Sequence, residues 1–118
     1  MDEKPLRYVV LRHEGVEEPH FDLMFETSPG SALATWRAPE WPLKTGTPLA
    51  HLPDHRPRYL TYEGEVSGDR GWVRRVASGT HQIRQDHLLL VVTQLEDGTV
   101  LRLFRGGPTV AQVLGSRA

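Results

Sequence analysis

Short stretches of alternating hydrophobic and polar residues, separated by glycine, proline and polar turns, make up most of this chain. Alternation with a period of two is typical of β-strands, because successive side chains point to opposite faces of a sheet. The pattern predicts strands at residues 6–12, 20–26, 32–37, 59–63, 72–77, 81–85, 88–94 and 100–105. A short helix is expected only at residues 109–114. Many short strands with so little helix predict an all-β fold, a small antiparallel β-barrel.

Turn-forming residues fall between several of these predicted strands. Ser-Pro-Gly-Ser at 28–31, Ser-Gly at 78–79 and Asp-Gly at 97–98 are expected to form turns. The stretch from 38 to 57 carries five prolines and a glycine. Proline fixes φ and removes a backbone donor, so this stretch is predicted to be a long irregular loop that covers one end of the barrel.

Composition narrows the class of protein. A length of 118 residues, 38% hydrophobic and 25% charged, predicts a single globular domain over residues 1–118. The net charge of -1 provides no bulk attraction for nucleic acid or an anionic membrane. The absence of cysteine excludes disulfides, thiolate metal sites and a cysteine nucleophile. A charged first segment and the lack of a long apolar run predict neither signal peptide nor membrane span, and hence a cytoplasmic protein with no membrane partner.

Candidate chemistry is concentrated in the segment HFDLMFE at residues 20–26. On a strand its phenylalanines and Leu23 would share one face, while His20 and Asp22 would share the other. His13 lies just before the connecting loop. Two imidazoles and a carboxylate that converge form a plausible divalent-metal site, and His55 in LPDHRPRY is a candidate to join them.

Other interpretations of these histidines remain open at this point. The pair His20 and Asp22 could be a surface hydrogen bond, and the remaining histidines could be ordinary surface residues, namely His51, His81 and His87. His20, Asp22 and His55 also fit the facial triad of non-haem iron(II) oxygenases. The short, proline-rich gap before His55 disfavours that alternative, since those enzymes need a larger double-sheet barrel.

A stripe of basic residues in the second half of the chain also has two interpretations. It comprises Arg70, Arg74, Arg75 and Arg84, with Trp72 among them. Arginines interleaved with an aromatic ring can hold single-stranded nucleic acid by phosphate contact and stacking. Alternating arginines are equally typical of the outer face of any small barrel, and we give the nucleic-acid interpretation little weight.

Four segments occur in a characteristic order, RYVVLRHEGVEEPHFDLMFE, ATWRAPEWP, LAHLPDHRPRYLTYEGEVSG and GWVRRVASGT. In this order they resemble the phosphoesterase domain of bacterial DNA ligase D, over about residues 7 to 80. The resemblance implies a β-barrel, manganese-dependent enzyme that heals 3′ ends of DNA. Such an enzyme removes a 3′-terminal ribonucleoside and then the remaining 3′-phosphate.

The resemblance also implies roles for individual residues. His13, His20 and Asp22 would hold the metal, with Mn²⁺ expected and Zn²⁺ or Fe²⁺ as alternatives. His55 and Tyr59 would act catalytically by contacting the phosphate. The implied partners are nucleic-acid 3′ ends or another phosphoester, together with a DNA ligase or repair protein.

Three positions depart from the family pattern. Met24, Glu40 and Pro48 stand where the family has an arginine, a lysine and an arginine that serve the phosphate pocket. The nearest basic residues that could substitute are Arg37, Arg56 and Arg58. Two functions are therefore expected as alternatives. One is a metal-dependent phosphoesterase, and the other is a catalytically weakened relative that keeps its metal and binds nucleic-acid ends or a repair partner.

Overall fold

A computed structural model describes residues 4–115, and these residues form ten β-strands and one short 3₁₀ helix. The strands are β1 (Leu6–Glu14), β2 (His20–Glu26), β3 (Leu33–Ala38), β4 (Pro48–His55), β5 (Gly64–Glu65), β6 (Trp72–His87), β7 (Leu90–Leu95), β8 (Val100–Phe104), β9 (Thr109–Val110) and β10 (Gln112–Leu114). The 3₁₀ helix spans Pro57–Leu60. Within the described range, no helix has the length and apolar character needed to cross a membrane.

Nine strands form one continuous antiparallel sheet, in the order β10-β8-β7-β6-β1-β2-β3-β4-β9, and β5 pairs separately with β6. A single residue, Ala111, separates β9 from β10. The segment therefore pairs with β4 on one side through β9 and with β8 on the other through β10. This double pairing nearly closes the sheet, and the predicted all-β antiparallel barrel is confirmed.

The expectation of a long irregular loop at 38–57 is wrong, because β4 lies within it and pairs with β3. The prolines are compatible with pairing because of where they fall. Pro48 is the first residue of β4, and Pro53 lies where the register shifts between Leu33 and Thr35 of β3. Both are positions where a strand tolerates a missing donor. Of this stretch, residues 39–47 and Arg56 lie outside the strands and the 3₁₀ helix.

Three other local predictions are also wrong. Residues 59–63 do not form a strand, since a 3₁₀ turn begins at Pro57. Ser78 and Gly79 do not form a turn but lie inside the 16-residue strand β6, where a side chain at Gly79 would meet the carboxylate of Glu96. Residues 109–114 do not form a helix but supply the strands that close the barrel.

Strand β2 separates two hydrophobic clusters, as its alternation predicts. Leu23 and Phe25 point into the barrel, where they pack with Trp36. Met24 points outward into a second cluster that contains Leu60 of the 3₁₀ helix. The outer face of the sheet is therefore covered as well, and the polar residues of β2 on that face lie in an enclosed position.

Glu26 is the most enclosed carboxylate of that face, with only 1% of its surface exposed. It accepts hydrogen bonds from the backbone N–H of Arg7 at 2.7 Å and of Gly30 at 2.9 Å, and its second oxygen lies 3.3 Å from the Arg7 guanidinium. Burial alone would raise its pKa, but these donors outweigh burial and lower the pKa below the ordinary value of 4.5.

We expect Glu26→Gln to lower the free energy of unfolding by about 1–3 kcal/mol near neutral pH, since the amide is a weaker partner for Arg7. Because the pKa is lower in the folded chain, the unfolded chain takes up the proton first as pH falls. The native advantage over the variant should therefore be complete above 4.5 and fade as pH drops through the folded pKa. Urea unfolding of both proteins across this range checks it, with the exposed Glu65→Gln as control. A pH-independent difference would contradict the assignment.

Candidate metal centre at the end of the β1–β2 hairpin

The β1–β2 hairpin brings His13, His20 and Asp22 together. His13 and His20 are direct cross-strand partners, and Asp22 lies two residues along β2 on the same face as His20. Oδ2 of Asp22 lies 3.8 Å from Nδ1 of His13 and 3.5 Å from Nε2 of His20. One ligand atom from each residue lies within 4.8 Å of the others. The cluster could therefore hold a metal ion.

Hydrogen bonds from the far side of each ring determine which imidazole nitrogen faces the cluster. Nε2 of His13 lies 2.7 Å from the carbonyl oxygen of Arg70, and Nδ1 of His20 lies 2.8 Å from that of Glu18. A carbonyl oxygen only accepts, so each of these nitrogens must carry the proton. In the neutral rings, Nδ1 of His13 and Nε2 of His20 therefore present lone pairs toward Asp22. Metal-binding histidines are typically oriented by such a bond.

Nε2 of His20 is the atom that most directly indicates a cation site. It is buried and has no hydrogen-bond partner among the described residues. Buried polar atoms are nearly always paired, so an unpaired one calls for an explanation. A metal ion between the three acceptors would satisfy this nitrogen. The residues present thus fit a divalent metal.

The carboxylate of Asp22 is oriented by a second-layer contact. Nε of Arg37 donates to Oδ1 of Asp22 at 3.3 Å, from the adjacent strand β3. This leaves Oδ2, the oxygen nearest to both imidazoles, directed at the cluster. Arg37, which the sequence predicts to bind substrate, thus orients a candidate metal ligand.

Two glycines, Gly71 in the loop before β6 and Gly15 just after β1, allow these two segments to approach each other closely. A Cβ at Gly71 would lie 2.1 Å from the carbonyl oxygen of Glu14, and a Cβ at Gly15 would lie 2.5 Å from the Trp72 ring. Both residues have positive φ. This close approach carries the neighbouring carbonyl of Arg70 onto the ring of His13.

A cavity of about 430 Å³ adjoins the cluster and gathers most of the other predicted site residues. Its lining includes His13 and Asp22 together with Arg37, Arg56, His55 and Tyr59. His55 stands at the end of β4, not in a loop as expected, and its ring centre lies 6.0 Å from that of Tyr59. His55 lines the cavity but is not part of the three-residue cluster. The oxygenase-like triad that includes His55 is therefore not the set that the fold assembles.

The remaining predicted site residue lies elsewhere. Arg58 does not line this cavity, and its guanidinium lies over the ring of Tyr62 at 4.5 Å. Arg70 was expected only in the basic stripe, but it lines the cavity and bonds to Ser67. Its place depends on the glycine-dependent loop, which no local pattern of the sequence predicts.

The other stripe residues make ordinary surface contacts. Arg75 lies 4.0 Å from Glu63, and Arg84 donates to Gln94. Trp72 packs against Gly15 and remains 49% exposed.

One of the three histidines that the sequence left open as ordinary surface residues is buried. His81 is 5% exposed, with Nε2 2.9 Å from the carbonyl oxygen of Glu26 and Nδ1 2.6 Å from the Thr93 hydroxyl. Burial lowers its pKa, so it is held as a neutral core residue. His87 is exposed, and the ring of His51 lies against Trp36 with ring centres 5.1 Å apart and planes tilted by 40°.

The structure shows the surroundings of the three residues that depart from the pattern of the resembled family. Met24 is 1% exposed and belongs to the outer hydrophobic cluster. Glu40 accepts a hydrogen bond from the Thr47 hydroxyl at 2.5 Å, which ties together the two ends of the 39–47 loop. Pro48 is exposed at the start of β4. None of the three places a positive charge at the site.

Fold and site together define a class, a small antiparallel β-barrel with a candidate divalent-metal centre on its outer face. Comparison of the sequence with protein-family models finds no matching family, and comparison with curated proteins finds no match. The resemblance to the ligase D phosphoesterase domain therefore stays a prediction carried by the four segments quoted above.

We expect native protein to bind one divalent ion, and His20→Ala to lose it while staying folded, because the barrel-facing side of β2 is untouched. Metal at a hundred times its Kd should stabilise the native fold by about 2.7 kcal/mol. Metal content after dialysis and thermal unfolding with and without Mn²⁺ measure both effects. The exposed His87→Ala is the matched control and should behave as native. Full metal binding by His20→Ala would show that the site is misassigned.

Proposed function

We propose that this protein is a metal-dependent phosphoesterase, and that its substrates are terminal phosphate esters such as those at nucleic-acid 3′ ends. The observation that carries the proposal is that the candidate metal ligands lie beside an arginine-lined cavity. Three metal-ligand atoms with two oriented lone pairs adjoin a cavity lined by three arginines, Arg37, Arg56 and Arg70.

The arginines favour a phosphate over a neutral substrate. Guanidinium groups match phosphate oxygens in geometry and charge, and their hydrogen bonds to phosphate are among the strong ones. Arg37 and Arg70 are held in place by Asp22 and Ser67. Arg56 is exposed and makes no side-chain hydrogen bond or ion pair within residues 4–115, so it is free to bind a ligand. These three residues take over the charge that the family places at the positions of Met24, Glu40 and Pro48.

The metal would be held by Nδ1 of His13, Nε2 of His20 and Oδ2 of Asp22. A divalent ion bound there supplies Lewis-acid stabilisation of the charge on phosphate oxygens. The ligand set suits Mn²⁺, which the resemblance favours, and also Zn²⁺ or Fe²⁺.

A hydrogen bond to one ring nitrogen of His55 leaves the other nitrogen available to accept a proton. Its Nδ1 donates to the carbonyl oxygen of Pro53 at 3.0 Å, so Nε2 carries the free lone pair in the neutral ring. We assign His55 to accept a proton from the attacking water. The water oxygen then bonds to phosphorus, the ester P–O bond breaks, and the departing oxygen takes a proton from solvent. Tyr59, on the same cavity wall, is assigned to donate a hydrogen bond to a phosphate oxygen.

A second candidate function is a catalytically weakened relative that retains the metal and binds nucleic-acid ends or a repair partner. The observation that favours it is the loss of charge at Met24, Glu40 and Pro48, since a buried methionine cannot contact phosphate as an arginine would. Binding of a 3′-phosphorylated end without turnover is the outcome that would select this alternative.

The direct test is metal-dependent release of phosphate from a DNA primer that bears a 3′-phosphate. We expect turnover with Mn²⁺, little without it, and loss by more than about a hundredfold in His20→Ala, because ligand removal abolishes the metal's contribution. Metal bound in stoichiometric amount with no phosphate released from this primer or from a 3′-ribonucleotide end would overturn the proposal for nucleic-acid ends.

Arg56→Gln tests the arginine-lined cavity. Removing one free guanidinium should raise KM for the phosphate ester about tenfold, equivalent to about 1.4 kcal/mol, and leave the thermal stability unchanged. Arg84→Gln, on β6 and outside this cavity, is the matched control. An unchanged KM in Arg56→Gln would mean that the phosphate lies elsewhere.

A further inference from the structure

A second cavity, of about 740 Å³, adjoins the metal centre on its other side. His13, Arg37 and Arg70 line both cavities, whereas Asp22 and His55 line only the first and His20 only the second. The candidate metal centre thus lies between two chambers. We call the first the phosphate chamber and the second the outer chamber.

The walls of the outer chamber are largely apolar. The loop between β1 and β2 contributes Val16 and Pro19, the β3–β4 connection contributes Pro39, and the start of β4 contributes Pro48 and Leu49. Because Glu40 bonds to Thr47, the 39–47 loop is held as a fixed wall. Separate segments of the chain thus give the chamber apolar walls.

The charges around the outer chamber disfavour an anion. Glu17 and Glu18 line it and are exposed. Its two arginines, Arg37 and Arg70, also line the phosphate chamber and are assigned there to the phosphate. A second negatively charged group, placed in the outer chamber, would meet the two carboxylates and no arginine beyond these two.

We propose that the outer chamber holds the part of the organic group that is attached directly to the phosphate, and that this part is uncharged and largely apolar. The proposal rests on the phosphoesterase function proposed above. A phosphate bound beside the arginines that the two chambers share, with its organic group in the outer chamber, would leave the opposite side of phosphorus open toward the phosphate chamber. Water activated by His55 then approaches in line with the departing oxygen.

Size and polarity agree with this assignment. Chambers of about 300–1,000 Å³ suit small organic ligands, and apolar walls gain affinity by removing apolar surface from water. A group the size of one nucleoside or aryl alcohol is accommodated. A nucleic-acid 3′ end is accommodated with its terminal nucleoside in this chamber and the rest of the strand outside it, because further phosphates inside the chamber would face Glu17 and Glu18.

The test uses two small esters that differ in charge but not in reactivity. These are 4-methylphenyl phosphate and 4-(carboxymethyl)phenyl phosphate, whose methylene group insulates the phenol from the carboxylate. With Mn²⁺ we expect kcat/KM to favour the neutral ester by about tenfold, or about 1.4 kcal/mol. Val16→Arg should reduce that preference at least about threefold by adding a cation to the chamber. Leu88→Arg, at the exposed β6–β7 turn, should leave the preference unchanged.

The double variant Glu17→Gln/Glu18→Gln tests the same point without adding bulk. It removes the two carboxylates of the outer chamber, so it should also reduce the ratio of kcat/KM between the neutral and the charged ester. Equal kcat/KM for the two esters in native protein would overturn the assignment of the outer chamber and leave the phosphoesterase function standing. A preference that neither variant alters would overturn it as well. If neither ester nor the DNA primer is hydrolysed with Mn²⁺, Zn²⁺ or Fe²⁺, the proposed function itself fails, and this inference fails with it.

Discussion

Three acceptor atoms face one another at the end of the β1–β2 hairpin, and a bound cation would stabilise this arrangement. Two are imidazole lone pairs, on His13 and His20, and the third is a carboxylate oxygen of Asp22. Acceptors do not attract one another, and the lone pair of His20 is buried without a partner in the described chain. A bound metal would satisfy all three. The other features of the site are arranged around this requirement.

The scaffold enforces the arrangement from several directions. Cross-strand pairing opposes His13 to His20, and Arg37 on β3 holds one oxygen of Asp22. The carbonyl groups of Glu18 and Arg70 take the outer ring protons. Because Gly71 allows its loop to approach β1 closely, the Arg70 contact depends on a residue without a side chain. Burial of the opposite faces of β1 and β2 in the barrel keeps the hairpin rigid beneath the site.

The alternation of β2 was sufficient to predict both the barrel and the face that carries His20 and Asp22, since period-two patterning directly reports which side chains share a face. Prediction from residue type alone failed where the outcome depends on tertiary partners. Pro48 and Pro53 by type predict a loop, yet they stand at the start of β4 and at a register shift. His81 by type fits the surface as well as a site, yet Glu26 and Thr93 hold it by hydrogen bonds in the core.

The site shows the same division between local pattern and tertiary contact. The metal-ligand residues lie within one hairpin, so their proximity follows from sequence spacing. Arg70 reaches the site from a loop 57 residues away along the chain, and only the close approach of Gly71 to Glu14 brings it there. The apolar outer chamber likewise combines the β1–β2 loop with Pro39 and the start of β4, which no local pattern connects.

The most direct test of the central claim is the anomalous diffraction signal of crystals grown with Mn²⁺. The account predicts one strong peak between Nδ1 of His13, Nε2 of His20 and Oδ2 of Asp22, at about 2.0–2.3 Å from each, by analogy with other protein-bound divalent ions. A peak coordinated by the opposite imidazole nitrogens would contradict the assigned ring orientations. The absence of any peak at the hairpin end, in crystals that contain saturating Mn²⁺, would contradict the metal centre itself.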